Sequence, residues 1–325
     1  MTTFVRLPAY FPPMDNLTHT LVGAAIGQAA NARRTRYGLA AVLIGANLPD
    51  IDILGLLVGQ NLGFRRGITH GVPALLLWPL LLVGGLLLWE RWRRRQPKGG
   101  PPLRPGLLLV LAAVAILSHP LLDWFNNYGM RWLMPFGGTW FYGDTWFIVD
   151  PWVIGVLGVA LWAGKRGAGH VPNPRPARVT LGLLAGYAVL MWVGSALGER
   201  SVRAHLAALG FKPPEAVMVT PVPLNPFRRM VVVDDGQAYR IGTLSPGRPL
   251  RLRADAAIEK GLNDLDREAV MADPRGRQFL GWSRFPYARV TEQADAIVVV
   301  LDDARYSDGE TGSFARTVIR LPPRR

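Results

Sequence analysis

Apolar residues are crowded into the first two thirds of the chain and broken there by short polar connections. Successive apolar runs begin near 17–31, 37–58, 74–89, 106–122, 147–163 and 179–197. The third, Ala74–Trp89, is nearly all Leu, Val, Gly and Trp; the last three are about 17–20 residues, long enough to cross a bilayer core of about 30 Å at 1.5 Å per residue. The first is short and rich in Gly and Ala, suited to close helix packing. The second is interrupted at Asn47-Leu48-Pro49-Asp50-Ile51-Asp52, where Pro49 breaks or kinks a helix. Both are weaker candidates to span, or are partly re-entrant. Beyond residue 200 the pattern changes. Val217–Val219, Met230–Val233, Ala238–Ile241, Ala296–Leu301 and Thr317–Leu321 read as short strands, Asp234-Asp235-Gly236 as a hairpin turn, and Ala254–Ala272 as one or two helices. The pattern predicts an α-helical polytopic membrane domain of about six apolar helices, residues 15–198, followed by a small, mostly β soluble domain, residues 199–325. Residues 1–14, with three prolines and no apolar core, read as a disordered extension and not a signal peptide.

Charge gives this membrane domain an orientation. The net charge of +14 alone would suit a nucleic-acid binder. Of the 17 Lys/Arg in residues 1–199, however, 13 lie in three short connections, at 33–36, 91–104 and 165–178. That is the signature of cytoplasmic loops, so no nucleic acid is expected as partner. Threading six segments through those loops places both termini outside a bacterial inner (cell) membrane, the β-rich domain being extracytoplasmic. The same threading, built from Lys and Arg alone, carries His19, Asp50, Asp52, His70, His119, Asp123, Asp144 and Asp150 to the outer face. The chain has no cysteine, which excludes disulfides and thiolate zinc sites.

The sharpest chemical signal is Ser118-His119-Pro120-Leu121-Leu122-Asp123, at the end of an apolar run. His119 and Asp123 are four apart and project from one helix face, a spacing at which imidazole and carboxylate can hold one divalent cation. Ionisable groups in a span are costly, about 2.5–3.5 kcal/mol each on insertion scales, and tend to be functional. The expected site is a one- or two-metal centre of His19, Asp50, Asp52, His70, His119 and Asp123. Zinc is the first expectation, with manganese or iron as alternatives. Asp52 and Arg66 are the expected catalytic residues, and Arg65 or Arg66 would answer charge developing on a phosphoryl or carbonyl oxygen. The bland readings are a helix-end hydrogen bond for His119 and Asp123, helix caps for Asp50, Asp52 and Asp150, helix starts for His19 and His70, a turn at Asn126-Asn127, and an interfacial aromatic belt for the Trp and Tyr of 124–146. His170 and His205 lie outside the set.

Four motifs carry a resemblance. Asp15-Asn16-Leu17-Thr18-His19-Thr20, Leu48-Pro49-Asp50-Ile51-Asp52, Arg66-Gly67-Ile68-Thr69-His70 and Ser118–Asp123 occur in the order found in the YdjM-like membrane-bound metal-dependent hydrolases, over residues 14–165. That family is distantly similar to zinc-dependent phospholipase C and related nucleases. The resemblance implies hydrolysis of a phosphoester or lipid headgroup, with membrane lipid as the partner. The sequence departs from the family where a further His often precedes the Arg-Gly of the third motif; here that residue is Arg65. The β-rich domain falls outside the resemblance, and its protein partner is unknown. Two other classes are kept open: a non-catalytic scaffold with a structural metal, and a transporter, which the clustering of acids at one face disfavours.

Overall fold

The computed structural model describes residues 16–58, 61–93, 100–166, 172–307 and 316–323. The expectations for residues 1–14, Asp15, Arg94, Arg95, Lys98 and His170 lie outside these. The chain divides into two compact units, Met14–Trp192 and Val193–Arg325.

The first unit is helical. Its helices are α1 (Asn16–Ala29), α2 (Gly38–Gly45), a short α3 (Asn61–Phe64), α4 (Val72–Arg93), α5 (Pro105–Phe125), α6 (Pro151–Lys165) and the start of α7 (Arg175–Ala208); a 3-10 stretch, Leu48–Val58, follows α2. About six membrane-crossing helices are not found among the described residues. Three, α4, α5 and α7, are long and apolar enough, and α2 with Leu48–Gly55 makes a fourth only if that pair, bent by 42°, counts as one span. The physical reason is length. The 14 residues of α1 and 15 of α6 reach roughly 21–22 Å, short of a core of about 30 Å.

Small residues let these short helices meet backbone to backbone. A side chain on Gly23 of α1 would run into Ala46 and the Val42 carbonyl, and one on Gly45 would press on Ala115, Ile116 and the Ala112 carbonyl of α5. Val22, Ala25, Ile26, Val42, Leu111, Ala115, Val153 and Leu157 fill the core between α1, α2, α5 and α6. The basic connections gather at one end. Arg36 pairs with Glu90, Thr35 Oγ1 accepts from the Arg104 amide at 3.0 Å, Gln28 Nε2 donates to Asn173 O at 2.8 Å, and Arg178 Nε donates to Ala29 O at 2.9 Å. The first turn of α1, the C-terminal turn of α5 and the start of α6 lie at the other end of their helices.

The second unit is built on two antiparallel sheets. One has the order β1 (Ala216–Val222), β2 (Asn225–Asp234), β3 (Ala238–Leu244), β4 (Arg251–Glu259); the other is β5 (Pro286–Glu292), β6 (Ile297–Asp303), β7 (Thr317–Leu321). The predicted strands and the turn at Asp234–Gly236 hold. Two strands, β4 and β5, were not predicted, and β4 takes the start of the predicted helical stretch, leaving α8 (Asp264–Ala272) and adding α9 (Pro274–Trp282). Alternation assigns the faces of the first sheet. Val217, Val219, Val231 and Val233 pack on Val202 and Leu206 of α7, while Met218, Val232 and Tyr239 pack with Phe285, Tyr287 and Ala304.

The second sheet carries a buried ion pair. Arg305 Nη2 lies 2.8 Å from Asp303 Oδ2, both side chains 0% exposed, and the guanidinium also stacks on Trp282. Burial alone would raise the Asp303 carboxyl; Arg305 and Ser283 bring it below its ordinary value. Arg305→Ala leaves a buried carboxylate uncompensated and should cost about 3–5 kcal/mol, read as faster hydrogen exchange in β5 and β6 of the full chain. Because the folded carboxyl is depressed, its contribution is full above the ordinary carboxylate range and fades as pH falls toward the folded value.

Candidate metal centre

Four segments deliver the polar cluster. Asp50 and Asp52 come from the 3-10 stretch after α2, where Pro49 has no amide hydrogen with which to continue the α2 hydrogen-bond ladder. His70 ends a single 3-10 turn, Ile68–His70, just before α4; His119 and Asp123 are on the last turns of α5; His19 is on the first turn of α1. The loop that presents His70 is tight. A side chain on Gly67 would strike Phe64 O and Arg131, and one on Gly71 would strike Met134 O.

Asp50, His70, His119 and Asp123 each offer one atom, all within 4.8 Å of one another, and all four residues are buried. His119 Nε2 is 3.5 Å from Asp50 Oδ1 and 3.5 Å from Asp123 Oδ2; His70 Nε2 is 3.5 Å from Asp123 Oδ2 and 3.9 Å from Asp50 Oδ1. A tetrahedral cation with bonds of about 2.0–2.1 Å needs ligand atoms roughly 3.3 Å apart. Three edges of the cluster, at 3.5 Å, are therefore close to that spacing, and the fourth, at 3.9 Å, is somewhat longer. Moreover, His70 Nε2, His119 Nε2 and Asp123 Oδ2 are buried and make no hydrogen bond among the described residues. Buried polar atoms are ordinarily satisfied, so three converging orphans fit a site that a cation completes.

The surroundings fix which atoms face inward. His119 Nδ1 lies 2.7 Å from Ala46 O; a carbonyl only accepts, so Nδ1 carries the hydrogen, and in the neutral ring Nε2 is then the atom that can bind a cation. Asp52 Oδ2 lies 3.4 Å from His70 Nδ1, and Thr69 Oγ1 is 2.9 Å from the same atom. Asp123 is held by its other oxygen: Arg66 Nη2 donates to Oδ1 at 2.7 Å, leaving Oδ2 toward the cluster. Three carboxylates thus face two guanidinium groups, Arg66 at Asp123 and Arg65 at Asp52, the latter at 3.2 Å.

Of the six residues expected as ligands, four share the centre. Asp52 stands behind His70, where its two oxygens also accept from Arg65 Nη1 and from the Arg66 amide at 2.7 Å. His19 stands to one side, with Nε2 3.4 Å from Asp123 Oδ1 and its ring stacked on His119 at 3.9 Å. Arg66, expected to meet substrate, is 0% exposed; its guanidinium also donates to Asp123 O, Asn126 Oδ1 and Gly129 O and lies over the Tyr128 ring. Arg65, in the place of the family's further His, is buried against Asp52. Asp150 caps α6, accepting from the Trp152 and Val153 amides, and Tyr187 donates to it. Asp144 sits in the preceding loop at φ 48° and is not among the four.

Three contributors had little or no sequence signal. Arg131 donates to the carbonyls of Leu62, Gly63 and Arg65 and so holds the loop that carries Arg65 and Arg66. Asn126 forms the expected turn, accepting from the Tyr128 amide, but also grips Arg66. The Ala46 carbonyl is main chain, which no residue type announces. A narrow cleft lined by Thr18, His19, Asp123, Asn126, Trp146, Phe147 and Asp150 reaches the cluster from the His19 side.

A profile described as YdjM inner membrane protein matches residues 14–198. An uncharacterised protein of Bacillus subtilis, YfhP, is 30% identical over 138 residues, 39% of this chain and 39% of that one. The chain therefore matches about two fifths of the length of that relative. No solved structure matches.

Proposed function

The chain belongs to the YdjM inner membrane protein family, and on that premise we propose that it is a membrane-bound metal-dependent hydrolase of a phosphoester, a lipid headgroup being the substrate class. The observation that carries the reading is the convergence of His70 Nε2, His119 Nε2 and Asp123 Oδ2, buried and without hydrogen bonds, beside Asp50 Oδ1. Asp50, His70, His119 and Asp123 would hold the cation, with zinc first and manganese or iron as alternatives. Bound there, a divalent cation supplies a Lewis acid and an acidified water.

The remaining roles belong to the protein. Asp52 orients His70 through Nδ1, and Arg66 turns Asp123 Oδ2 inward; both act as positioning residues in this reading, while Arg65 anchors Asp52. His19, between the cluster and the cleft, is the side chain best placed to meet a substrate and exchange a proton with it. Trp146 and Phe147 on the cleft wall suit a substrate arriving from a bilayer surface. The basic connections at the opposite end of the helical unit favour a cytoplasmic location for that end and an outward-facing cluster, with the β-rich unit extracytoplasmic.

One observation favours a second reading. Four buried donors make a closed set, as structural zinc sites do, whereas catalytic sites keep a position open. In that reading the metal staples helices, and the β-rich unit binds an envelope partner.

Elemental analysis of the detergent-purified full chain, beside His70→Ala and His119→Ala, tests the proposal. The expected result is about one equivalent of metal in the parent, lost in both variants with helicity retained, and metal-dependent cleavage of phospholipid or bis-p-nitrophenyl phosphate. A parent that holds no metal and takes none up on reconstitution ends both readings. A tightly held, non-exchanging metal without cleavage of any phosphoester ends the hydrolase and leaves the scaffold.

A further inference from the structure

The β1–β2 hairpin of the second unit has a direction set by its contacts with α7. Arg203 Nη1 donates to Pro214 O just before β1; the space beside Gly198 is taken by Val219 and Leu244; and Arg229, which pairs with Pro221 across the hairpin, donates from Nη1 to Ser195 Oγ at 2.7 Å and fills the space beside Gly194. As β1 advances, its partners on α7 step backwards, from 203 to 198 to 195. The tip of the hairpin therefore points toward the start of this unit's part of α7, Val193–Leu197, where the apolar run of that helix ends; the helix is long and apolar enough to cross a membrane.

What the tip carries is unusual for a soluble turn. Leu224 is 70% exposed and Phe227 58% exposed, with Pro223 and Pro226 beside them. Leu224 also has φ 64°, a conformation that suits Gly or Asn and is strained for leucine. From Arg229, level with Ser195, two further strand residues bring Phe227 about 6–7 Å deeper, the depth to which interfacial segments bury their apolar faces. Behind the tip, Arg228, Arg248 and Arg251 line a pocket with Asn225, Thr243 and Ser245, and the lining contains no carboxylate.

We infer that this hairpin is an interfacial anchor: Leu224 and Phe227 enter the leaflet in which α7 ends, and Arg228, Arg248 and Arg251 bind the phosphate of an anionic phospholipid headgroup. Charge complementarity and continuity with the spanning helix select the lipid surface as occupant. The inference is independent of the metal centre and of which leaflet is involved.

The chain has no cysteine, so Leu224→Cys in the full-length protein gives a unique labelling site; Gln237→Cys, in the β2–β3 turn at the opposite end of the sheet, is the control. Each is labelled with an environment-sensitive fluorophore and reconstituted in vesicles of phosphatidylcholine with or without phosphatidylglycerol. The Leu224 label is expected to be quenched by shallow lipid-borne nitroxide and shielded from aqueous iodide, the Gln237 label the reverse. Each of Arg228→Gln, Arg248→Gln and Arg251→Gln should lower insertion in the anionic vesicles roughly fivefold. Equal iodide access at 224 and 237 overturns the anchor. Insertion indifferent to phosphatidylglycerol and to the arginine changes overturns the headgroup site. Shielding from both quenchers that grows with protein density assigns the tip to a second copy of the chain and overturns the lipid.

Discussion

Arg66→Leu should destabilise the helical unit by about 3–5 kcal/mol, because it strips the counter-charge from a buried carboxylate. Asp123 is 1% exposed and Arg66 0%, so water cannot replace the lost guanidinium. The same change abandons the Asp123, Asn126 and Gly129 oxygens that Arg66 now satisfies. For a domain of this size the loss corresponds to a fall of roughly 10 °C in melting temperature, measured on detergent-purified full chain. Arg66→Lys should recover only part of it, since an ammonium cannot reach several acceptors with a planar fork. Adding Asp123→Asn to Arg66→Leu removes the uncompensated charge, and the double variant should be less destabilised than the sum of its parts. Additive losses would show that Arg66 does not act through Asp123. A full-strength melting temperature in Arg66→Leu would show that the guanidinium is free for another purpose, which would favour the catalytic role expected from the sequence over a positioning one.

Asp52→Asn should weaken metal binding 10–100-fold, the usual cost of losing the carboxylate behind a ligating histidine. The substitution keeps the size of the side chain but gives up the negative charge that faces His70 Nδ1 and Arg65. The amide can turn its oxygen to the Arg66 N–H or to His70, not to both as strongly. Competition with a chelator on the purified full chain reads the affinity directly. Unchanged affinity, with activity lost at saturating metal, would move Asp52 from positioning to direct participation in the chemistry. Arg65→Ala should lower affinity less, because it frees Asp52 without removing it.

The polar cluster was legible because two independent signals agreed. Lys and Arg placed the loops, and every His and Asp of the helical region except His170 then fell on the opposite side; the folded unit gathers its basic connections at one end and four of those residues into one centre. The i, i+4 pair of His119 and Asp123 survives intact as the last turns of α5. The number of spans was misread because hydrophobicity marks burial, whether in lipid or in protein. Residues such as Val22 and Ala25 are apolar to pack on neighbouring helices, and their helix, α1, is too short to cross. The contacts of Arg66, and Arg131 altogether, were unreadable for the opposite reason. A buried arginine has the same letter as a surface one, and only the carbonyls around it, contributed by residues 60 or so positions away, reveal its task. In the second unit the strands that were predicted are rich in Val and Ile, whereas β4, an edge strand of sequence RLRADAAIE, alternates polar with apolar at first but carries a single β-branched residue, Ile258, and three alanines that favour a helical reading.

The carbonyl of Ala46 has a consequence for how this protein can change over generations. It pins the proton of His119 on Nδ1, and being main chain it is encoded by every codon alike; no point substitution deletes it. The inheritance of that part of the centre is secure against changes of side-chain chemistry and vulnerable only to changes of bulk. Gly23 and Gly45 are where the bulk would arrive, since a side chain at the first meets Ala46 itself and one at the second meets α5 beneath His119. In a lineage that keeps the centre, two residues without a polar side-chain atom should therefore be as constrained as the histidine they never touch.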